Sequence, residues 1–271
     1  MNKDELVELA GNPDFIAGIY NYCDRWCERC AFSSRCLVFA TERADPDLDD
    51  MDVRDLSNAK FWRNLDSIFK DAHELIRECA EEAGFDLEAI QTEATIAAHQ
   101  AETENAKAHQ LSVLARDYGA AVHTWFENQL VAAESLTDDH SVQAKREAIA
   151  IDVQSAVEVI RWYQFFIAAK VFRALMGGDD EFDGVYPTDN ENEINPAQTD
   201  ANGSAKIALI AIERSLGAWR IVQSWVPDKT GSIAPMMATL ENLRGGIEEK
   251  LPLARDFIRP GFDEVSGDYV S

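Results

Sequence analysis

The fold is decided by one long apolar run, Val157-Glu158-Val159-Ile160-Arg161-Trp162-Tyr163-Gln164-Phe165-Phe166-Ile167-Ala168-Ala169-Lys170-Val171-Phe172. It lies within a helical segment, 141–176, that is apolar on almost every side. A helix without a polar face belongs in the middle of a helical bundle. A second very apolar helix is predicted over 205–225, and strand-like alternation is not sustained anywhere in the chain. The sequence therefore predicts an all-α fold, a multi-helix bundle with an N-terminal cysteine-cluster arm.

The rest of the sequence predicts that the chain is divided into three segments. Residues 1–56 form the cysteine-cluster segment packed on the bundle, 57–258 form the bundle, and 259–271 form a tail. Ser57 is expected to cap a helix that ends at Gly84, and the helical stretch 86–136 is long enough to require a kink or break. An acidic loop is predicted over 177–204, and two short helices are expected near 235–245 and 247–258.

Composition limits the classes of function. The chain has 271 residues, of which 25 are basic and 49 acidic, giving a net charge of −24. Such a surface repels phosphate backbones and anionic lipids, so neither nucleic acid nor a membrane is expected as a partner, whereas a basic or redox protein is allowed. No apolar window reaches the roughly eighteen residues of a spanning helix, and the first residues do not resemble a signal peptide. We therefore expect a cytoplasmic protein.

Four of the five cysteines predict where the chemistry lies. Cys23, Cys27, Cys30 and Cys36 have the spacing Cys-x3-Cys-x2-Cys-x5-Cys, whereas Cys79 stands alone on a predicted apolar helix stripe and is expected in the core. Clustered thiolates in a reducing compartment favour zinc or an iron–sulfur cluster. If the segment were helical, Cys23 and Cys30 would lie roughly 10 Å apart along the axis, which suits a cluster better than one zinc ion. We predict an iron–sulfur cluster, with structural zinc as the alternative.

The residues between the cysteines support a metal centre. Arg25, Arg29 and Arg35 are expected to surround the ligands, because guanidinium groups offset the negative charge of four thiolates. Five aromatic residues are expected to form a dry wall around the metal: Tyr20, Tyr22, Trp26, Phe32 and Phe39.

Two interpretations without a metal remain open. Cys27 and Cys30 form a Trp-Cys-x-x-Cys string, which is typical of thiol–disulfide oxidoreductases. In the second interpretation, the four cysteines are small residues of the hydrophobic core. The string Tyr20-Asn21-Tyr22 followed by the four cysteines resembles a segment of uncharacterised bacterial proteins, and this resemblance implies no activity.

A second candidate site consists of carboxylates among apolar helix positions: Glu93, Glu104, Glu158 and Glu213. A buried carboxylate must be paired with a cation, bound to a metal or protonated. The sequence leaves open whether these glutamates form internal ion pairs or line a pocket. No histidine has a glutamate three residues before it, which argues against a ferritin-like di-iron site. Hydrolase and phosphate-loop motifs are also absent from the sequence.

Overall fold

A computed structural model describes residues 3–44, 57–87, 92–133, 143–177 and 195–263. These residues form eight α-helices and short 3-10 helices, with no strand in the ranges given, so the predicted all-α fold is confirmed. The α-helices are α1 (Lys3–Ala10), α2 (Leu37–Ala44), α3 (Ala59–Ala83), α4 (Glu93–Ala108), α5 (Gln110–Ala133), α6 (Gln143–Met176), α7 (Asp200–Trp225) and α8 (Thr230–Lys250).

The chain forms two compact units. The described parts of Met1–Gln100 and Arg259–Ser271 form the first unit, and those of Ala101–Ile258 form the second. This grouping differs from the predicted one, because it places α3 and residues 259–263 with the cysteine segment.

In the first unit, local sequence determines the ends of α3. The side chain of Asn58 accepts a hydrogen bond of 2.9 Å from the backbone N–H of Lys60, so the cap lies one residue after the predicted Ser57. At the other end, Gly84 has a φ of 73° and donates its N–H to the carbonyls of Ala80 and Glu81. Glycine is favoured there because a left-handed residue with a Cβ is strained. Cys79 of α3 is exposed, so its predicted place in the core is wrong.

In the second unit, α7 is the central helix. Its most extensive contact is with α6, and it also packs against α8 and the 3-10 helix Ala254–Asp256. Small residues such as Ala205 and Ala208 are fully buried on α7 and allow its neighbours to come close. The N–H of Trp219 donates to the hydroxyl of Tyr118 on α5 across 3.0 Å, deep in this core. The centre is thus α7 rather than α6, which leaves Trp162 and Phe165 exposed.

The kink or break predicted in the helical stretch 86–136 is confirmed, and it lies at His109, between α4 and α5. Two other predictions are corrected. The acidic loop does not extend to residue 204, because Thr199 caps α7 and residues 200–204 are helical; residues 178–194 lie outside the described residues. The two short helices predicted near 235–245 and 247–258 are one helix, α8, which contains Pro235 and is followed by a 3-10 turn.

Candidate metal centre

The four clustered cysteines lie in a segment of turns and two 3-10 helices, Cys27–Arg29 and Ser33–Arg35. Cys30 and Cys36 have extended backbones, so the helical arrangement considered from the sequence is wrong. The chain turns at Arg25, which has a φ of 58°, and the Asp24 carboxylate accepts a hydrogen bond of 3.1 Å from the Trp26 N–H. A left-handed non-glycine residue is uncommon, and such residues cluster at functional sites.

All four cysteines border one small cavity of about 20 Å³. Each of them is half-buried. The rest of the wall is formed by apolar residues (Ile19, Trp26, Phe39 and Phe262) and by polar residues (Asp24, Arg25 and Ser33). The fold thus places the four predicted ligands around a common space that is mostly apolar.

The four thiols do not form a ready-made ion site. Among the residues that the structure describes, no three His, Cys, Asp or Glu side chains are arranged to hold a metal ion. The cavity of about 20 Å³ has room for about one water molecule, so binding of either a zinc ion or a cluster requires the cysteine side chains to move.

Backbone hydrogen bonds orient two of the thiols, and burial affects the pKa of two of them. The backbone N–H of Phe32 donates to Sγ of Cys30 across 3.4 Å, and the Cys23 thiol donates to the Tyr20 carbonyl across 3.6 Å. Burial raises the pKa of the Cys23 thiol, and the neighbouring Arg25 partly offsets this effect. Burial also raises the pKa of the Cys27 thiol, as do the nearby charges of Glu42 and the other thiolates. Without a cation, both thiols are therefore held in the neutral form.

Of the three predicted arginines, only Arg25 borders the cavity. Its guanidinium also lies 3.8 Å from the Glu42 carboxylate. The guanidinium of Arg29 lies 3.9 Å from the centre of the Trp26 ring, and Nε of Arg35 donates to the Asp14 carbonyl across 3.2 Å. Arg29 thus packs against an aromatic wall residue and Arg35 fixes the backbone of the segment.

Residues 259–263, which were predicted as part of a tail, contribute to the site in a way that sequence reasoning missed. Phe262 borders the cavity and packs edge-on against Phe32, with ring centroids 5.0 Å apart. Gly261, with a φ of 75°, allows this approach, because a Cβ there would lie 2.9 Å from Cδ1 of Ile16. The only local signal was an aromatic residue after a glycine, and this pattern does not specify a partner in the cysteine segment.

The second candidate site does not form. Glu93, Glu104, Glu158 and Glu213 are all exposed, so their predicted burial is wrong. Glu104 pairs with Lys107 at 2.8 Å and Glu213 with Arg255 at 2.7 Å, while Glu158 accepts a 3.3 Å hydrogen bond from Gln154. On α6, the buried stripe passes through Ala156, Ile160, Tyr163, Ile167 and Val171, and it excludes Glu158. Because α6 is apolar all round, its sequence did not show which side would be buried.

Comparisons with family models, with curated proteins and with solved structures give no match. None of the helices in the described ranges combines the length and the apolar content needed to span a membrane.

Proposed function

We propose that the protein binds an iron–sulfur cluster through Cys23, Cys27, Cys30 and Cys36, and that it transfers electrons or senses redox state. The observation that carries this proposal is that all four cysteines lie in the wall of one cavity, which is otherwise mostly apolar. Four thiolates are the usual ligand set of such clusters.

Two features of the site favour a cluster over zinc. The backbone N–H of Phe32 donates to Sγ of Cys30, and most of the cavity wall is apolar. The potential of a cluster depends on hydrogen bonds to sulfur and on exclusion of water, whereas zinc has no redox chemistry to tune.

Each group of the site then has a distinct role. A bound cluster would supply one-electron chemistry. The four cysteine side chains hold it as thiolates, so uptake of the metal releases their protons, because burial keeps at least Cys23 and Cys27 neutral beforehand. Arg25 offsets part of the negative charge, while Phe39 and Phe262 exclude water. A redox protein with a basic docking surface would suit the net charge of −24 as a partner.

The raised pKa of the Cys27 thiol argues against a thiol–disulfide oxidoreductase. In such enzymes the attacking cysteine is activated by a lowered pKa. Here burial and neighbouring negative charge raise the pKa of the Cys27 thiol. Cys27 is therefore poorly suited to attack a disulfide at neutral pH.

The proposal is tested by anaerobic purification followed by measurement of iron, labile sulfide and visible absorption. We expect coloured protein that contains iron and sulfide, and we expect Cys36→Ser to lose most of both. Cys79→Ser is the matched control, because Cys79 is exposed on α3 and does not border the cavity. Colourless protein with one zinc ion would instead identify a structural zinc site. Metal-free protein with a reversible Cys27–Cys30 disulfide would identify an oxidoreductase.

A further inference from the structure

Helix α3 has a continuous apolar face that the first unit leaves largely exposed. Its apolar residues recur every three or four positions, so they lie on one side of the helix: Phe61, Leu65, Ile68, Phe69, Ala72, Leu75, Ile76 and Cys79. Trp62, Ile68, Phe69 and Ile76 are each between 52 % and 58 % exposed. Helix α1 contacts α3 through Lys3, whose ammonium pairs with Glu74 at 2.8 Å and Glu78 at 2.7 Å on the polar side.

This exposed face is too large to be a scatter of single residues. A fully covered aromatic side chain buries roughly 150–250 Å², so four half-exposed large residues leave on the order of 400 Å² of apolar surface. A contiguous patch of this size matches the largest one on a typical monomer, and such patches are often functional. Over its 25 residues, α3 is about 37 Å long, which is enough for a helix-to-helix interface.

The charges of α3 indicate what covers this face. The N-terminal half, 59–70, carries three basic residues and one acidic residue, whereas the C-terminal half, 71–83, carries one basic residue and five acidic residues. A second copy of α3 in antiparallel orientation brings each positive half beside a negative half. A parallel copy would instead place like charges together. An anionic lipid surface would be repelled, because the helix carries more acidic than basic residues.

The geometry points to a homodimer in which the apolar faces of two α3 helices pack antiparallel about a two-fold axis near Ala72. Ala72 lies next to the point where the charge changes sign, and its small side chain allows the two helices to approach closely. In this register Ile68 of one protomer contacts Ile76 of its partner. Asp66 and Arg77 border the same groove as Phe69 and Ile76, so Asp66 lies beside Arg77 of the other chain. A two-fold axis uses the same face on both protomers, as closed homodimers require. This dimer is independent of whether the cysteines bind a cluster.

The first test measures the mass of the purified full-length protein by sedimentation over a range of concentrations. We expect wild-type protein to dimerise and Ile68→Glu and Ile76→Glu to remain monomeric, because each places two carboxylates in the interface. Ser67→Glu is the matched control, an exposed position on the polar side of the same helix that should leave the dimer intact. Helical content measured by circular dichroism verifies that the variants are folded. Monomeric wild-type protein at every concentration would overturn the proposal, as would a dimer that both isoleucine variants retain.

The second test determines the orientation of the helices. Asp66→Arg and Arg77→Asp should each raise the dimer dissociation constant several-fold, since exposed ion pairs contribute modestly. The double variant Asp66→Arg/Arg77→Asp should restore most of the wild-type affinity, because it rebuilds the pair with the signs exchanged. Failure of the double variant to recover, while both single variants weaken the dimer, would exclude the antiparallel register.

Discussion

Phe262 packs edge-on against Phe32, with the two ring centroids 5.0 Å apart and the ring planes at 78°. This contact joins the segment after α8 to the cysteine segment within the first unit. The Arg259 guanidinium lies 4.9 Å from the Phe262 ring centre and also pairs with Asp263 at 2.7 Å. The Phe262 ring therefore contacts both Phe32 and Arg259. Residues distant in sequence therefore complete the wall of the candidate metal centre.

The first prediction concerns water access to this centre. Phe262→Ala removes an aromatic wall residue, so a bound cluster should decay several-fold faster in air, because water and oxygen reach it more easily. The decay is followed by visible absorption and by release of iron to a chelator. Phe85→Ala is the control, since Phe85 is an exposed phenylalanine that does not border the cavity. Equal decay rates in the two variants would show that Phe262 does not protect the site.

The second prediction concerns the charge at the cavity. Arg25→Asn removes the arginine that borders the cysteines, and asparagine tolerates the left-handed backbone with a φ of 58° at this position. Loss of a positive charge favours the oxidised, less negative form of a cluster, so the reduction potential should become more negative. Potentiometric titration measures this shift. Arg29→Asn is the comparison, because Arg29 lies over Trp26 and does not border the cavity. An equal shift in both variants would contradict a specific role for Arg25.

Local sequence signals predicted the helices well, because the features that define them lie within a few residues of each other. Gly84 ends α3 as expected, and the cap lies at Asn58, one residue after Ser57. The burial of individual residues was harder to predict. The residues Trp162, Phe165 and Glu158 share an apolar sector of α6, yet this sector is exposed, because α7 covers the opposite stripe through Ile160 and Ile167. The contact of Phe262 with Phe32 depends on the tertiary fold, which no local pattern encodes.

The third prediction concerns the packing of α5 against α6. A Cβ added at Gly119 would lie 2.6 Å from the carbonyl oxygen of Gln164 and 3.0 Å from the Phe165 ring. Because a backbone atom cannot move aside easily, Gly119→Ala should lower the free energy of unfolding by about 1–3 kcal/mol. Gly217→Ala is the matched control, since a Cβ there has no neighbour within 4 Å, and it should raise stability by up to ~1 kcal/mol. Chemical denaturation of both variants measures these changes. Equal stability of the two would contradict a close helix crossing at Gly119.

The last prediction concerns the dependence of stability on alkaline pH. Burial raises the pKa of Tyr118 to about 12 from its usual 10.0, although the hydrogen bond from Trp219 partly opposes the shift. Between these two values the unfolded chain has lost the phenol proton while the folded protein retains it. The contribution of Tyr118 to the free energy of unfolding is therefore complete below pH 10. It is lost as the pH rises towards 12, by on the order of 2 kcal/mol.

Tyr118→Phe removes this titration and leaves the buried Trp219 N–H without its 3.0 Å acceptor, which should cost about 1–3 kcal/mol at neutral pH. Unfolding free energies of both proteins, measured from about pH 9 to about pH 12, test both effects, because the contributions of the other tyrosines cancel in the difference. The stability advantage of the wild type should shrink over this range, and a constant difference would show that Tyr118 does not titrate as its burial requires.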